Sequence, residues 1–163
     1  RVNKDSIRFM MLNRRNDVEI DFDFERVLVK SKGNPGFYVL YSFARISSLF
    51  RTLKKDLSDQ IDLDLKTFSL NENEIKILRK VFEWPKIIET ASAKYEVHKI
   101  PYYLYELATL FHAYWSKGNE EKSLKFIENE KIKRVETLAI IVLTAIVVQK
   151  GMNILGVSLP SKM

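Results

Sequence analysis

Glycine and proline are scarce in this chain, and the positions of the prolines decide most of what it can fold into. Five Gly and four Pro are spread over 163 residues, too little turn punctuation for a protein of many short strands. Asn34-Pro35, Trp84-Pro85 and Ile100-Pro101 each break one apolar-periodic segment from the next. Proline opens helices more readily than it continues them, because it lacks the N–H that a first turn leaves unused anyway. Between the breaks, helical periodicity predicts segments at about 5–12, 21–32, 34–55, 72–82, 85–96, 101–116 and 131–150. Asp5 or Ser6 is the expected cap of the first, Asn34 the cap of the third, and Gly151 the glycine that ends the last. The polar, acidic stretch at 56–71 reads as a loop, and the tail LGVSLPSKM is too short for an element of its own and should fold back. No strand pattern or solenoid-length repeat competes, so the expected fold is all-α, a helical bundle.

Charge is informative by position. Residues 1–55 hold 12 Lys/Arg against 6 Asp/Glu, whereas residues 56–163 hold 15 of each. The whole surplus of +6 therefore sits in the first third, as a polyanion-binding surface requires, although scattered solvated lysines would give the same count. Cysteine is absent, which removes disulfide and thiolate chemistry and suits a reducing compartment. The start RVNKDSIRFMML lacks an apolar core with a cleavage site, and its first residue, Arg, reads as the edge of an excised piece. The longest apolar run, Leu138 to Val148, is too short to span a bilayer and suits a buried helix. His98 and His112 are not at metal-ligand spacing and read as capping or surface groups. No G-x-S-x-G elbow, P-loop or G-x-G-x-x-G is present, so no catalytic and no metal-binding residue is assigned.

The stretch YVLYSFARISSLFR, residues 38–51, carries two faces. At 100° per residue, Val39, Phe43, Ile46, Phe50 and Leu53 fall within roughly 80° and form a packing stripe. Tyr38, Tyr41, Arg45, Ser48 and Thr52 share another narrow sector, roughly opposite. That second face fits a helix buried on both sides, with its polar groups satisfied inside. It also fits a stacking surface for unpaired bases with a guanidinium for phosphate, and composition does not choose between them. In PYYLYELATLFHAYWS the packing stripe is Leu104, Leu107, Ala108, Phe111 and Trp115, with Tyr102, Tyr105, Thr109 and His112 on the flank.

Three blocks carry a resemblance. Arg8, Phe9 and Leu12, then Asp21–Asp23, then Asn34, Pro35, Phe37, Tyr38, Tyr41, Ala44, Arg45 and Ile46 match R-F-x-x-L, D-F-D and N-P-x-F-Y-x-x-Y-x-x-A-R-I. The segment YLYELATLFHAYW and the ending KGMNILGVSLPSKM resemble Y-L-x-x-L-A-x-x-F-x-x-F-Y and N-G-L-x-L-L-G-I-x-x-P-x-x-M. Together they resemble the C-terminal region of arginyl-tRNA synthetases: the end of the catalytic half (1–32, a connecting segment) running into the DALR anticodon-binding bundle (33–163) of the class Ia type. The D-F-D block and the P-x-x-M ending argue against the glycyl or cysteinyl enzymes. The resemblance implies a cytoplasmic, monomeric protein, independent of membranes, whose partners are tRNA(Arg) and the rest of the synthetase. ATP with Mg2+ and arginine would be used by a catalytic domain whose H-I-G-H and K-M-S-K-S signatures are missing here. Carried over by position, Tyr38, Tyr41 and Arg45 lie on the anticodon-side helix and Met163 is the terminal methionine near the anticodon bases. Arg14 and Arg15 are backbone-contact candidates on charge grounds. The sequence departs from the family at Leu40, at Phe43 and in its nearly apolar last helix, AIIVLTAIVV. That last departure suggests the alternative of a protein-interaction or regulatory module built on the same fold.

Overall fold

The computed structural model describes residues 4–19, 25, 28–61 and 68–159. Most of the helix expected at 21–32, the middle of the 56–71 loop and Met163 lie outside the described residues. Helix α1 is Lys4–Leu12, α2 is Pro35–Leu53, α3 is Glu72–Phe82, α4 is Trp84–Lys94, α5 is Lys99–Glu120 and α6 is Val135–Ile154. A 3-10 turn at Lys122–Leu124 and a hairpin of β1 (Ile127–Glu128) and β2 (Lys131–Ile132) join α5 to α6.

Local chemistry explains the boundaries. The Asn34 side chain accepts from the Phe37 N–H at 3.1 Å and Pro35 fills the first turn of α2. At the far end Lys54 turns left-handed (φ 52°), and its N–H reaches back to the Phe50 and Arg51 carbonyls. Helix α3 opens with a capping box: Asn71 accepts from Asn73 and Glu74, and Glu74 accepts in return from the Asn71 N–H at 2.9 Å, satisfying otherwise orphaned donors.

Four expectations are corrected. Neither Asp5 nor Ser6 caps α1, which begins at Lys4; Asp5 is buried and accepts from the Ser158 N–H at 3.1 Å. Gly151 does not end α6. It lies inside the helix, where an added Cβ would stand 2.7 Å from a Leu104 methyl, and Gly156 (φ 65°) takes the left-handed position instead. Helix α6 starts at Val135 rather than Lys131 because β2 occupies Lys131–Ile132. That hairpin, turning on Asn129 and Glu130 with φ of 50° and 59°, is too short to leave an alternating pattern.

Helix α5 is the axis. Leu104, Leu107 and Ala108 are fully buried and Phe111 nearly so, with α2, α3, α4 and α6 packed around it. Phe9 of α1 joins the same core, and Leu155 and Val157 bring the tail onto it. Helix α6, with mean hydropathy 1.7, is long and apolar enough to cross a bilayer, but 61% of it is buried inside the bundle, as a core helix is. Beneath the α3 cap lies a completely buried carboxylate: Glu74 accepts from the Tyr114 hydroxyl (2.9 Å), the Thr137 hydroxyl (2.5 Å) and Arg134 (3.1 Å). It ties α3, α5 and the start of α6 together.

Candidate nucleic-acid interface

Where α2 crosses α5, the second face of α2 meets His112. The imidazole is 3% exposed; its Nδ1 lies 2.9 Å from Arg45 Nη1 and its Nε2 3.0 Å from the Tyr38 carbonyl. A guanidinium only donates and a carbonyl only accepts. His112 is therefore neutral, accepting at Nδ1 and donating from Nε2. Burial pushes its pKa down to about 4, the Tyr38 carbonyl pulling the other way and the Arg45 charge adding to the fall. This corrects the surface role expected of it. His98 is likewise buried and makes no side-chain cap bond to α5.

His112 is the floor of an aromatic cluster. Tyr38 packs on it at 4.3 Å and Tyr41 stacks on it at 5.3 Å, with Phe37 continuing the stack at 5.8 Å from Tyr41. Arg45 lies with its guanidinium carbon 4.3 Å from the Tyr41 ring centre and 5.4 Å from that of Trp115. Cation–π attraction of this kind contributes roughly 0.5–2 kcal/mol. Tyr41, Arg45 and Trp115 remain half-exposed and, with Ser48, Arg51, Thr52 and Ile127, line an open groove of about 580 Å³. Two aromatic side chains and two guanidinium-bearing residues thus share one groove, a composition suited to aromatic and phosphate contacts together.

The candidates from the sequence are thus distributed unevenly. Tyr41 and Arg45 line the groove. Tyr38 lies beneath it, between His112 and Tyr105 (5.7 Å), and burial raises its phenol pKa. Arg14 borders a separate cleft of about 170 Å³ at the start of α2, with Phe9, Asn13 and Gly36. Arg15 is exposed and paired with Asp17 at 2.8 Å. Met163 lies outside the described residues. Sequence reasoning missed Trp115, placing it in the packing stripe. Its angle was a signal, since it falls only about 60° from His112 around the helix.

A helical bundle with one short hairpin thus presents an aromatic groove that carries two arginines. The family comparison agrees: the chain belongs to the DALR anticodon binding domain family, which matches residues 39–163. Among curated relatives, the arginine–tRNA ligase of Pelagibacter ubique is 47% identical over 162 residues, covering 99% of this chain but 28% of that protein. A Campylobacter jejuni structure assigned as an arginyl-tRNA synthetase superposes with a TM-score of 0.82 at 26% identity, over 99% of this chain and 34% of that one. The Plasmodium falciparum arginyl-tRNA synthetase superposes with a TM-score of 0.75 at 25% identity, over 98% and 26%. The chain thus spans under a third of the length of the curated relatives it matches.

Proposed function

We propose that this chain is the anticodon-binding part of an arginine–tRNA ligase, holding tRNA(Arg) while arginylation proceeds elsewhere in the whole protein. The observation that carries the reading is the groove in which Tyr41 and Trp115 flank Arg45, with Tyr41, Arg45 and Arg51 supplied by the first 55 residues, which hold all the net positive charge. Aromatic faces take unstacked loop bases; Arg45 and Arg51 meet the phosphates between them. ATP with Mg2+ and arginine belong to the catalytic portion of the whole protein, working in the cytoplasm as a monomer. Within the same proposal, 1–32 connects that portion to the bundle at 33–163. Arg14 and Arg15 contact tRNA backbone, Tyr38 holds the anticodon-side helix in place, and Met163 lies near the anticodon bases.

The test is filter binding of tRNA(Arg) to the chain across a salt series. Affinity should fall steeply with salt. Tyr41→Ala should cost about 1–3 kcal/mol and Tyr41→Phe far less, because the ring and not the hydroxyl stacks. Binding no tighter than to an unrelated polyanion at moderate salt would refute the specific claim. One observation favours the interaction-module alternative: Leu143 and Ile146 on α6 are 37% and 42% exposed. That reading gains if Tyr41→Ala and Arg45→Ala leave tRNA affinity unchanged.

A further inference from the structure

Near its two ends the described chain closes on itself. Asp5 is buried, and its carboxylate accepts from the Ser158 N–H at 3.1 Å, a bond between residues 153 positions apart. One turn on, Arg8 lies against the bend at Gly156, whose φ of 65° suits glycine. An added Cβ there would stand 2.5 Å from Arg8 Nη1. Phe9 is buried against the start of α2, where an added Cβ on Gly36 would stand 3.0 Å from its ring. Leu12 completes the row, packed on the core. Positions 5, 8, 9 and 12 share one face of a helix, so α1 is clasped along one side by the tail and by the first turn of α2. The R-F-x-x-L block and the LGV of the ending, far apart in sequence, are thus two halves of one contact. We infer that this clasp is a positioning device: Asp5, Arg8 and Gly156 fix the angle between the catalytic portion of the whole protein and the groove. The inference rests on the reading proposed above, in which 1–32 joins the two, and adds residues that act on arginylation without touching RNA.

Length, anchoring and place carry the inference. A helix of nine residues is too short to hold its own shape in water, and Phe9 alone would be a pivot. The tail adds the further points of attachment that stop rotation, and it is itself fixed, since Leu155 and Val157 are buried in the core. Beyond α1 the Asn16 amide donates to the Tyr95 carbonyl at 3.4 Å, a second tie between the connecting segment and the bundle. Gly36, where Phe9 rests, and Tyr41 belong to the same helix, about 7–8 Å apart along its axis, and Arg45 follows one turn later. The clasp and the groove therefore share one rigid rod. None of Asp5, Arg8 and Gly156 lines the groove, so the clasp can open without altering the surface that grips RNA. A misplacement of about 1 Å at a reacting centre can cost on the order of a hundredfold in rate, and holding α1 in one orientation meets that demand.

The experiment places the same substitutions in this chain, assayed for tRNA(Arg) binding by fluorescence anisotropy, and in the whole synthetase, assayed for arginylation. Asp5→Ala removes the acceptor and Asp5→Asn keeps one. Ser158→Pro removes only the donor N–H at an exposed position and decides the matter if Asp5→Ala does not fold. Asp5→Ala and Ser158→Pro should lower kcat about ten- to a hundredfold, with KM for tRNA and the affinity of the chain within about twofold of wild type. Asp5→Asn should recover most of the lost kcat. Hydrogen exchange at the Ser158 amide, faster in Asp5→Ala, reports that the clasp has opened. An opened clasp with wild-type kcat, or a loss of RNA affinity in parallel with kcat, overturns the positioning role and leaves the groove standing. A wild-type whole protein that does not arginylate tRNA(Arg) overturns the reading beneath it as well.

Discussion

Acid should unfold this bundle partly through one imidazole. His112 is buried against Tyr38, Tyr41 and Phe111, with Arg45 at one nitrogen and the Tyr38 carbonyl at the other. Its pKa in the folded chain is about 4, against an ordinary 6.5 for an exposed histidine. Between those values the unfolded chain holds a proton that the folded chain excludes, so stability rises with pH across that window and is lost as pH falls. Above the window neither state is protonated and the group contributes no pH dependence. The gap corresponds to about 3 kcal/mol lost between neutral pH and pH about 4. Burial of the charged form is the main physical cause, and a proton at Nδ1 would also replace an acceptor for Arg45 with a second cation. Urea unfolding followed by far-UV circular dichroism, at steps across the window, gives the wild-type curve. His112→Gln, which keeps an acceptor and a donor but does not titrate, gives the reference. The difference between the two stabilities should change by about 3 kcal/mol from the top of the window to the bottom. Parallel curves would refute both the neutral tautomer and the burial argument.

Two further substitutions probe the frame that holds the groove. Glu74→Gln removes the charge that Arg134 and three other donors converge on, and should cost about 2–3 kcal/mol in urea unfolding. Gly151→Ala forces a methyl to within 2.7 Å of the fully buried Leu104. The overpacking, about 1–3 kcal/mol, outweighs the better helix propensity of alanine, and the melting temperature should fall.

Features written in adjacent residues were legible in the sequence. Asn34-Pro35 starts α2 because a side-chain acceptor and a fixed φ act within one turn, and Val39, Phe43, Ile46 and Phe50 all reach the core because periodicity fixes their shared face. What a face meets is not local. Trp115 has the angle of a packing residue, yet it lies near the end of α5, where the hairpin only partly covers it. His112 has the angle of a flank residue, yet α2 crosses directly over it. Gly151 stands where a terminating glycine would, but the approach of α6 to Leu104 sets its use, and that contact joins residues 47 positions apart. The face of Tyr41 and Arg45 is satisfied from below by His112 and open to a groove above.

That double character has an entropic consequence. An arginine free in solvent must surrender about 2 kcal/mol of rotamer freedom when it grips a ligand. Arg45 has already surrendered much of its own, held by His112 and two ring faces while the groove is still empty. The freezing was completed when the chain folded, so a ligand entering the groove would meet a guanidinium already set in place.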